Sequence, residues 1–168
     1  TLRTTAICES IYDKGDKGAV INVKTESRDE NGTMLFENRA VVWDRSAGNF
    51  GGERGPKADT YDPPENKNPD FHMEQATSTV QAALYRLSGD KNPLHIDPVL
   101  SKKLGFERPI LHGLCTFAFT GRAVLKTLCK NNPAALKSIA ARFMHPVFPG
   151  DTLITEGWRT NVGRYVIR

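Results

Sequence analysis

The sequence contains little cysteine and few aromatic residues, and it has no long hydrophobic run. Three of its 168 residues are cysteines, Cys8, Cys115 and Cys129, and no two of them form a Cys-x-x-Cys pair. An odd number of cysteines without a spacing pattern argues against a disulfide framework and favours free thiols. Cys115 and Cys129 lie in an apolar stretch, which predicts buried and unreactive side chains. No apolar run reaches the roughly 20 residues that a membrane-spanning helix needs, so we expect no membrane span.

Positive charge exceeds negative charge only slightly and is not concentrated in any segment. The net charge is +4, and no block of lysine and arginine is longer than the pair Lys102-Lys103. Because nucleic-acid-binding domains usually carry a basic patch or stripe, the dispersed charge predicts no nucleic-acid partner. It suits at most the few phosphates of a small ligand. The hydrophobic fraction of 39% and the charged fraction of 25% are typical of a globular domain.

The first 45 residues have the alternating pattern of β-strands. Ala19, Ile21 and Val23 alternate with other residues in a segment that ends at Arg28. An Asn-Gly turn follows at residues 31–32, and a second apolar segment covers residues 33–44. Asn-Gly between two such segments is a strong signal for a tight antiparallel turn, so we predict a β-hairpin.

Residues 46–76 lack a hydrophobic period, and we expect them to form a long connecting segment. They contain four prolines together with many glycines, aspartates and lysines. The glycine-rich stretch at residues 48–52 is not followed by the Gly-Lys-Ser/Thr of a phosphate-binding loop. It does not match a dinucleotide-binding fingerprint either.

The second half of the chain alternates between helical and extended patterns. We predict a short helix over residues 82–87 that stops at Gly89, and a second helix that begins at Asp97-Pro98 and ends near Leu104. A third helix should begin near Gly113 and close near residue 130; it is apolar on most sides, which predicts a buried helix. Strands are then expected at residues 139–144, 152–159 and 164–167.

Asp90 and His95 are the first candidates for chemistry. Five residues of uninterrupted helix rotate a side chain by about 500°, which would leave this pair roughly 140° apart. Gly89 and Pro93 break such a helix, so the backbone can turn and bring the carboxylate and the imidazole together. A carboxylate and an imidazole that share one water can orient it and accept its proton. For Asp and His at this spacing alone, a helix cap and a core histidine are the commoner alternatives.

A helix start at Gly113 is the second candidate feature. The first turn of a helix has free N–H groups and the positive end of the helix dipole, which suit a developing oxyanion. Gly113 has no Cβ, so a carbonyl group can approach its N–H closely. A glycine here could also serve only tight packing. We interpret His112 as structural.

Together these residues resemble a known enzyme family. Gly89-Asp90-Lys91-Asn92-Pro93-Leu94-His95, followed by Pro109-Ile110-Leu111-His112-Gly113, is similar to the hydratase 2 motif of the MaoC-like hot-dog enzymes. The similarity is greatest to the hydratase region of peroxisomal multifunctional enzymes. It extends to residues 2–6, 48–52, 82–87, 141–143 and 146–150.

The resemblance implies an α+β fold, a double hot-dog in which each repeat wraps a curved antiparallel sheet around one long helix. Residues 1–45 would be part of the first repeat, residues 46–76 the connection, and residues 77–168 the second repeat. A similarity in order and spacing between residues 1–21 and 152–166 fits two repeats. We therefore expect the chain to be incomplete at both ends and part of a longer protein.

The resemblance also implies an activity, the reversible hydration of trans-2-enoyl-CoA to (3R)-hydroxyacyl-CoA in fatty acid β-oxidation. Asp90 and His95 would be the catalytic pair, Asn92 a supporting hydrogen-bonding residue, and the Gly113 N–H the donor to the thioester oxyanion. The substrate-binding residues would be these four with Lys91, Pro93, Leu94, Phe143 and Lys14. No cofactor or metal is expected, because coenzyme A is part of the substrate.

We expect an acyl-CoA substrate, a homodimer and, from the family alone, a peroxisomal location. A hot-dog 3-hydroxyacyl-thioester dehydratase or a thioesterase is the nearest alternative. A non-catalytic acyl-CoA or RNA-binding module is the alternative outside enzymes.

Overall fold

The computed structural model describes residues 1–57 and 61–168, and it divides into two compact units, Thr1–Thr60 and Tyr61–Arg168. The first unit is a three-stranded antiparallel sheet in the order β1-β2-β3. Its strands are β1 (Arg3–Asp13), β2 (Ala19–Arg28) and β3 (Met34–Asp44). The predicted hairpin is confirmed: β2 and β3 pair with Ile21 opposite Val42. Asp29 Oδ1 accepts the N–H groups of Asn31 and Thr33, which closes the turn between the two strands.

A buried carboxylate organises the glycine-rich stretch at residues 48–52. Asp13, at the end of β1, is 6% exposed and accepts the backbone N–H groups of Gly15, Asn49 and Gly51. These bonds, with the Gly15 N–H first, hold the pKa of Asp13 below its usual value. A Cβ on Gly48 would overlap the Gly15 carbonyl oxygen, so glycine is required where the loop meets the strand end. The stretch therefore has a packing role within the first unit.

The second unit packs a helix against another three-stranded antiparallel sheet, in the order β4-β5-β6. The strands are β4 (Phe71–Ala76), β5 (Thr152–Asn161) and β6 (Arg164–Ile167), and the helices are α1 (Gln81–Arg86), α2 (Pro98–Lys103) and α3 (Gly113–Thr127). Helix α3 contacts β4 and β5. Three buried residues, Ala82, Leu111 and Cys115, form a core cluster with the partly buried Tyr85, Phe119 and Val147 packed against it.

All three helices begin close to where the sequence predicts. The Asp97 side chain accepts the N–H groups of Val99 and Leu100, and Pro98 is the first residue of α2, so the predicted capping is confirmed. At the end of α3, Lys130 and Asn131 have positive φ, and the chain turns there as expected. Among the described residues, no helix is long and apolar enough to cross a membrane.

Three local predictions are wrong. The expected connecting segment 46–76 ends in a strand, β4, which gains its stability from pairing with β5 rather than from its own pattern. Residues 139–144 form no strand, and neither sheet provides a partner for them. Helix α3 is buried on one face only: Cys115, Ala123 and Val124 are buried, whereas Leu114 is 63% exposed. The three-part domain division itself stays a prediction.

The cysteines differ from one another in exposure. Cys115 is buried, and burial raises the pKa of its thiol, so this part of the prediction is confirmed. Cys129 is only half-buried, because it lies beyond the end of α3. Cys8 is exposed.

Candidate active site

Residues 89–96 join α1 to α2 and are bent at both ends. We call this segment the catalytic loop because it carries the predicted catalytic pair. Gly89 has a φ of +117°, a conformation that residues with a side chain rarely adopt. The Asn92 side chain accepts the Leu94 N–H at 3.0 Å and caps a short 3₁₀ helix, Pro93–His95. Asp90 Oδ1 in turn accepts the Asn92 N–H at 3.2 Å. Local hydrogen bonds and the glycine therefore turn this segment out of the helical path that would separate Asp90 from His95.

The hydrogen bond of His95 determines which of its ring nitrogens is free. His95 Nδ1 lies 2.8 Å from the Ile110 carbonyl oxygen. Because a carbonyl oxygen can only accept, we assign the proton to Nδ1. Nε2 then has a free lone pair and can accept a proton from a water. The residue as a whole is half-buried.

Asp90, His95 and His112 converge. One oxygen or nitrogen from each side chain lies within 4.8 Å of the corresponding atoms of the other two. A water that makes two hydrogen bonds of about 2.8 Å at a tetrahedral angle spans roughly 4.6 Å. The upper limit on the separation between the Asp90 carboxylate and a ring nitrogen of His95 is therefore close to the span of one shared water. The two side chains thus converge, as expected from the turn at Gly89 and Pro93.

The same three side chains are of types that can bind a metal ion, but their geometry does not suit one. The rings of His95 and His112 are stacked, with centroids 3.7 Å apart and an interplanar angle of 27°. Two imidazoles on one tetrahedral zinc, with Zn–N bonds of about 2.0–2.1 Å, have ring centres roughly 5 Å apart. The stacked rings would have to separate before both could bind one ion.

His112 is almost fully buried beneath this cluster, at 1% exposure. Its Nε2 lies 3.2 Å from the backbone oxygen of Asp90, so Nε2 carries the proton. Nδ1 has no hydrogen-bond partner among the residues that the structure describes. Burial is the largest influence on the ring and lowers the pKa of His112, which keeps the imidazole neutral near pH 7.

Gly113 follows His112 and is the first residue of α3. The N–H groups of Cys115 and Thr116 donate to the His112 carbonyl oxygen, whereas the Gly113 N–H has no acceptor in the part of the chain that the structure describes. A Cβ on Gly113 would lie 3.3 Å from the Phe143 ring, so Phe143 lies beside this helix end. Gly113 thus offers a free donor at the positive end of a 15-residue helix.

The remaining predicted site residues are not part of the cluster of Asp90, His95 and His112. Lys91, Pro93 and Leu94 lie on the catalytic loop, and the Lys91 carbonyl oxygen accepts a bond from Arg86. Phe143 is 55% exposed beside Gly113. Lys14 belongs to the first unit, where its Nζ donates to the Arg54 carbonyl oxygen, and its place at the substrate stays a prediction.

Two supports of the site were not predicted from the sequence. The Ile110 carbonyl oxygen orients His95, and no side-chain pattern marks a backbone acceptor. Ser101 of α2 is fully buried, and its hydroxyl lies 3.0 Å from the Leu94 carbonyl oxygen and 2.7 Å from that of Asp97. The sequence does not distinguish a buried serine in α2 from an exposed one, so only the packing shows that Ser101 joins α2 to the catalytic loop.

Two open cavities are lined by described residues of the first unit. One, of about 530 Å³, is lined by Asp16, Lys17, Trp43 and Arg45. The other, of about 420 Å³, lies over the strands and includes Glu9, Tyr12 and Arg39 among its lining residues. Among the described residues, neither lining contains a histidine beside a carboxylate, and the Glu9 carboxylate is paired with Arg39. We therefore assign the chemistry to the catalytic loop.

Comparison with curated proteins gives relatives that are named as a peroxisomal multifunctional enzyme and as an enoyl-CoA hydratase. The chain is 47% identical over 161 residues to "Peroxisomal multifunctional enzyme type 2" of Drosophila melanogaster, an alignment that covers 95% of this chain and 27% of the relative. It is also 47% identical over 154 residues to "Probable enoyl-CoA hydratase 2" of Dictyostelium discoideum, covering 90% of this chain and 52% of the relative. The chain thus spans about half or less of the length of these two relatives.

Comparison with solved structures gives the fold. The crystal structure of a MaoC-like dehydratase from Phytophthora capsici superposes with a TM-score of 0.82 at 38% identity, covering 99% of this chain and 57% of that chain. The α+β hot-dog fold expected from the sequence is therefore confirmed. A family model described as "MaoC like domain" matches residues 61–166, the stretch that carries the whole catalytic loop and Gly113. The chain belongs to the MaoC-like domain family.

Proposed function

We propose that this chain hydrates trans-2-enoyl-CoA thioesters reversibly to (3R)-3-hydroxyacyl-CoA thioesters, a step of fatty acid β-oxidation. One observation carries the proposal: the Asp90 carboxylate and the His95 imidazole lie within water-bridging distance, and His95 is oriented with Nε2 free. The free Gly113 N–H supplies a donor next to His112, the third member of the cluster. The names of the relatives from Drosophila and Dictyostelium support the choice of substrate.

The proposed steps balance in atoms and charge. Asp90 and His95 hold one water, and His95 Nε2 accepts a proton from it as the oxygen forms a bond to C3 of the substrate. The electron pair of the C2–C3 double bond moves toward the thioester oxygen, where the Gly113 N–H stabilises the negative charge. The proton then passes from the catalytic pair to C2 on the same face. The net change is the addition of one water, and both side chains return to their starting protonation states.

The test is a hydration assay in which the configuration of the product is resolved. The 168-residue chain is supplied with crotonyl-CoA and, separately, with a longer trans-2-enoyl-CoA, and loss of the enoyl-thioester absorbance is followed. We expect turnover and a product that is (3R) by chiral analysis. An (S) product would contradict the proposal, as would binding of the thioester without any change in absorbance, which would indicate a non-catalytic acyl-CoA-binding module.

Dehydration of 3-hydroxyacyl thioesters is the second candidate, because the Phytophthora neighbour is described as a dehydratase. The same pair serves this direction, in which His95 would return a proton to the leaving hydroxyl group. Preference between CoA and acyl-carrier-protein thioesters, measured as kcat/KM, separates the two assignments. Release of free thiol from a saturated acyl-CoA would instead indicate a thioesterase.

We also propose the wider setting that the family resemblance implies. Coenzyme A enters as part of the substrate, and the reaction needs no cofactor or metal. Lys14 contacts the acyl-CoA, and the two sheets belong to the two repeats of a double hot-dog. The protein acts as a homodimer, which sedimentation analysis tests, and in the peroxisome, in keeping with the name of the Drosophila relative.

A further inference from the structure

We propose that His112 is a positioning residue that fixes Asp90 and the Gly113 N–H relative to each other and supports the His95 ring. The proposal rests on the proposed function for its kinetic test, but not for its spectroscopic one. His112 contacts no reacting atom in the mechanism above. It acts through its neighbours.

The contacts of His112 reach both parts of the site. Its Nε2–H donates to the backbone oxygen of Asp90, 22 residues earlier in the chain, at 3.2 Å. Its ring stacks on His95 at a centroid distance of 3.7 Å and contacts Tyr85 at 4.7 Å. A side chain with 1% exposure in such contacts has little freedom to move. It therefore determines where the Asp90 backbone lies.

The position of His112 in the chain extends this role to the oxyanion donor. Because His112 directly precedes Gly113, the first residue of α3, its bond to Asp90 joins the start of the helix to the catalytic loop. A displacement of α3 would move the Gly113 N–H and the Asp90 backbone together. This bond, together with the bond from His95 Nδ1 to the Ile110 carbonyl oxygen, holds the donor at a fixed distance from the catalytic pair. Displacements of about 1 Å in such geometry reduce rates by about a hundredfold.

The charge of His112 also matters to His95. The titrating and charged groups that face the His112 ring are Asp90, His95 and Arg86, with the Tyr85 ring packed beside it. A proton on His112 would place a positive charge against the stacked His95 ring and oppose transfer of the water's proton to that ring. The buried, neutral form of His112 avoids this repulsion.

Two substitutions separate the hydrogen bond from the ring. His112→Phe keeps an aromatic ring but removes the donor to Asp90, and His112→Gln keeps an N–H donor at a similar reach. We expect His112→Phe to lower kcat by about 10–100-fold, as is usual for residues that orient catalytic groups, with KM changed by less than about twofold. His112→Gln should lose less than about tenfold. His72→Gln, which alters an exposed histidine of β4, is the matched control and should leave kcat unchanged.

Nitrogen-15 NMR of the imidazoles tests the same proposal without activity. The chain has four histidines, so their ring signals can be assigned by substitution. In the wild-type chain we expect His112 as the neutral Nε2–H tautomer and His95 as the Nδ1–H tautomer. The His112→Phe substitution should change the His95 signals. If that variant does not fold, His112→Gln makes the same test. Absence of hydration by the wild-type chain with these tautomers present would overturn the function but not the positioning role. The positioning role would be overturned by an Nδ1–H tautomer at His112 or by unchanged His95 signals in a folded variant. A normal kcat in His112→Phe, or an effect on KM alone, would overturn it as well.

Discussion

At the residue scale, two backbone carbonyl oxygens determine the protonation of the two histidines in the site. Ile110 requires a proton on Nδ1 of His95, and Asp90 requires one on Nε2 of His112. The first arrangement leaves the lone pair of His95 Nε2 available to accept a proton. The second leaves a bare nitrogen of His112 inside the protein, and an unpaired acceptor there is tolerated better than an unpaired donor.

The Gly113 N–H can be removed without breaking α3. Proline is well accepted at the first position of a helix, and His112 has φ −57° and ψ 132°, the extended conformation that precedes proline. We expect Gly113→Pro to lower kcat by about 100–1,000-fold, the usual effect of losing one oxyanion donor.

Gly113→Ala is the control for the added bulk, because it keeps the N–H and places a Cβ at the same 3.3 Å from Phe143. The exposed Phe143 ring can shift by the few tenths of an ångström required. Steady-state kinetics of both variants make the test. Equal losses in the two would show that bulk, and not the donor, matters, and would contradict the oxyanion role.

His112 makes the stability of the fold depend on pH. Its pKa is lowered in the folded chain, so the unfolded chain binds a proton more readily below the ordinary histidine value of about 6.5. The contribution of His112 is fully present above that pH and is lost as the pH falls toward the folded pKa. We expect the urea midpoint to decrease between pH 7 and pH 5, and His112→Gln to reduce this decrease. A decrease of the same size in the variant would assign the effect to other groups.

The sequence predicts the convergence of Asp90 and His95 because its cause is local. Gly89, Asn92 and Pro93 dictate the turn through backbone conformation and a capping bond, and each is visible in the sequence. The burial of His112 has a different origin. It depends on Tyr85 and on the catalytic loop packing over the start of α3. No local pattern reveals this packing, so the sequence alone indicates only a structural role for His112.

At the scale of elements, the helices were predicted well and two segments were not. The ends of α2 follow from Asp97, Pro98 and the glycine after Leu104, all of which act on neighbouring backbone groups. Strands depend on partners distant in the sequence. Residues 71–76 pair with β5 despite a weak pattern, whereas residues 139–144 have a strand-like pattern and no partner in either sheet.

Leu111 anchors the segment that leads into α3. It is 3% exposed, lies in the core cluster, and its N–H donates to the Val147 carbonyl oxygen at 2.6 Å. We expect Leu111→Ala to lower the free energy of unfolding by about 2–5 kcal/mol, because the lost packing leaves a cavity. Urea denaturation followed by circular dichroism measures the change.

Leu114 provides a matched comparison, since it lies three residues further along and is 63% exposed. Leu114→Ala should change the free energy of unfolding by less than about 0.5 kcal/mol. Similar losses for Leu111→Ala and Leu114→Ala would contradict the core described for the second unit.

At the scale of the whole molecule, the family match and the site coincide in one unit. The matched residues 61–166 contain the catalytic loop, its supports in α2 and the start of α3. The fold class was predictable because the motif from residue 89 to residue 113 is specific to one family. The substrate-binding role of Lys14 rests on the resemblance alone. Its test is the KM of a Lys14→Ala variant for the enoyl-CoA substrate, which should be higher than that of the wild-type chain.

The central claim is that Asp90 and His95 act as one unit on a single water. In a double-mutant cycle on enoyl-CoA hydration, Asp90→Asn and His95→Gln should each lower kcat by about 100–10,000-fold, and the double variant should be no slower than the slower single variant. Asp97→Asn, which keeps a good helix cap on the same segment, should remain near normal. Losses that multiply in the double variant, or a single variant with nearly normal kcat, would contradict the shared water.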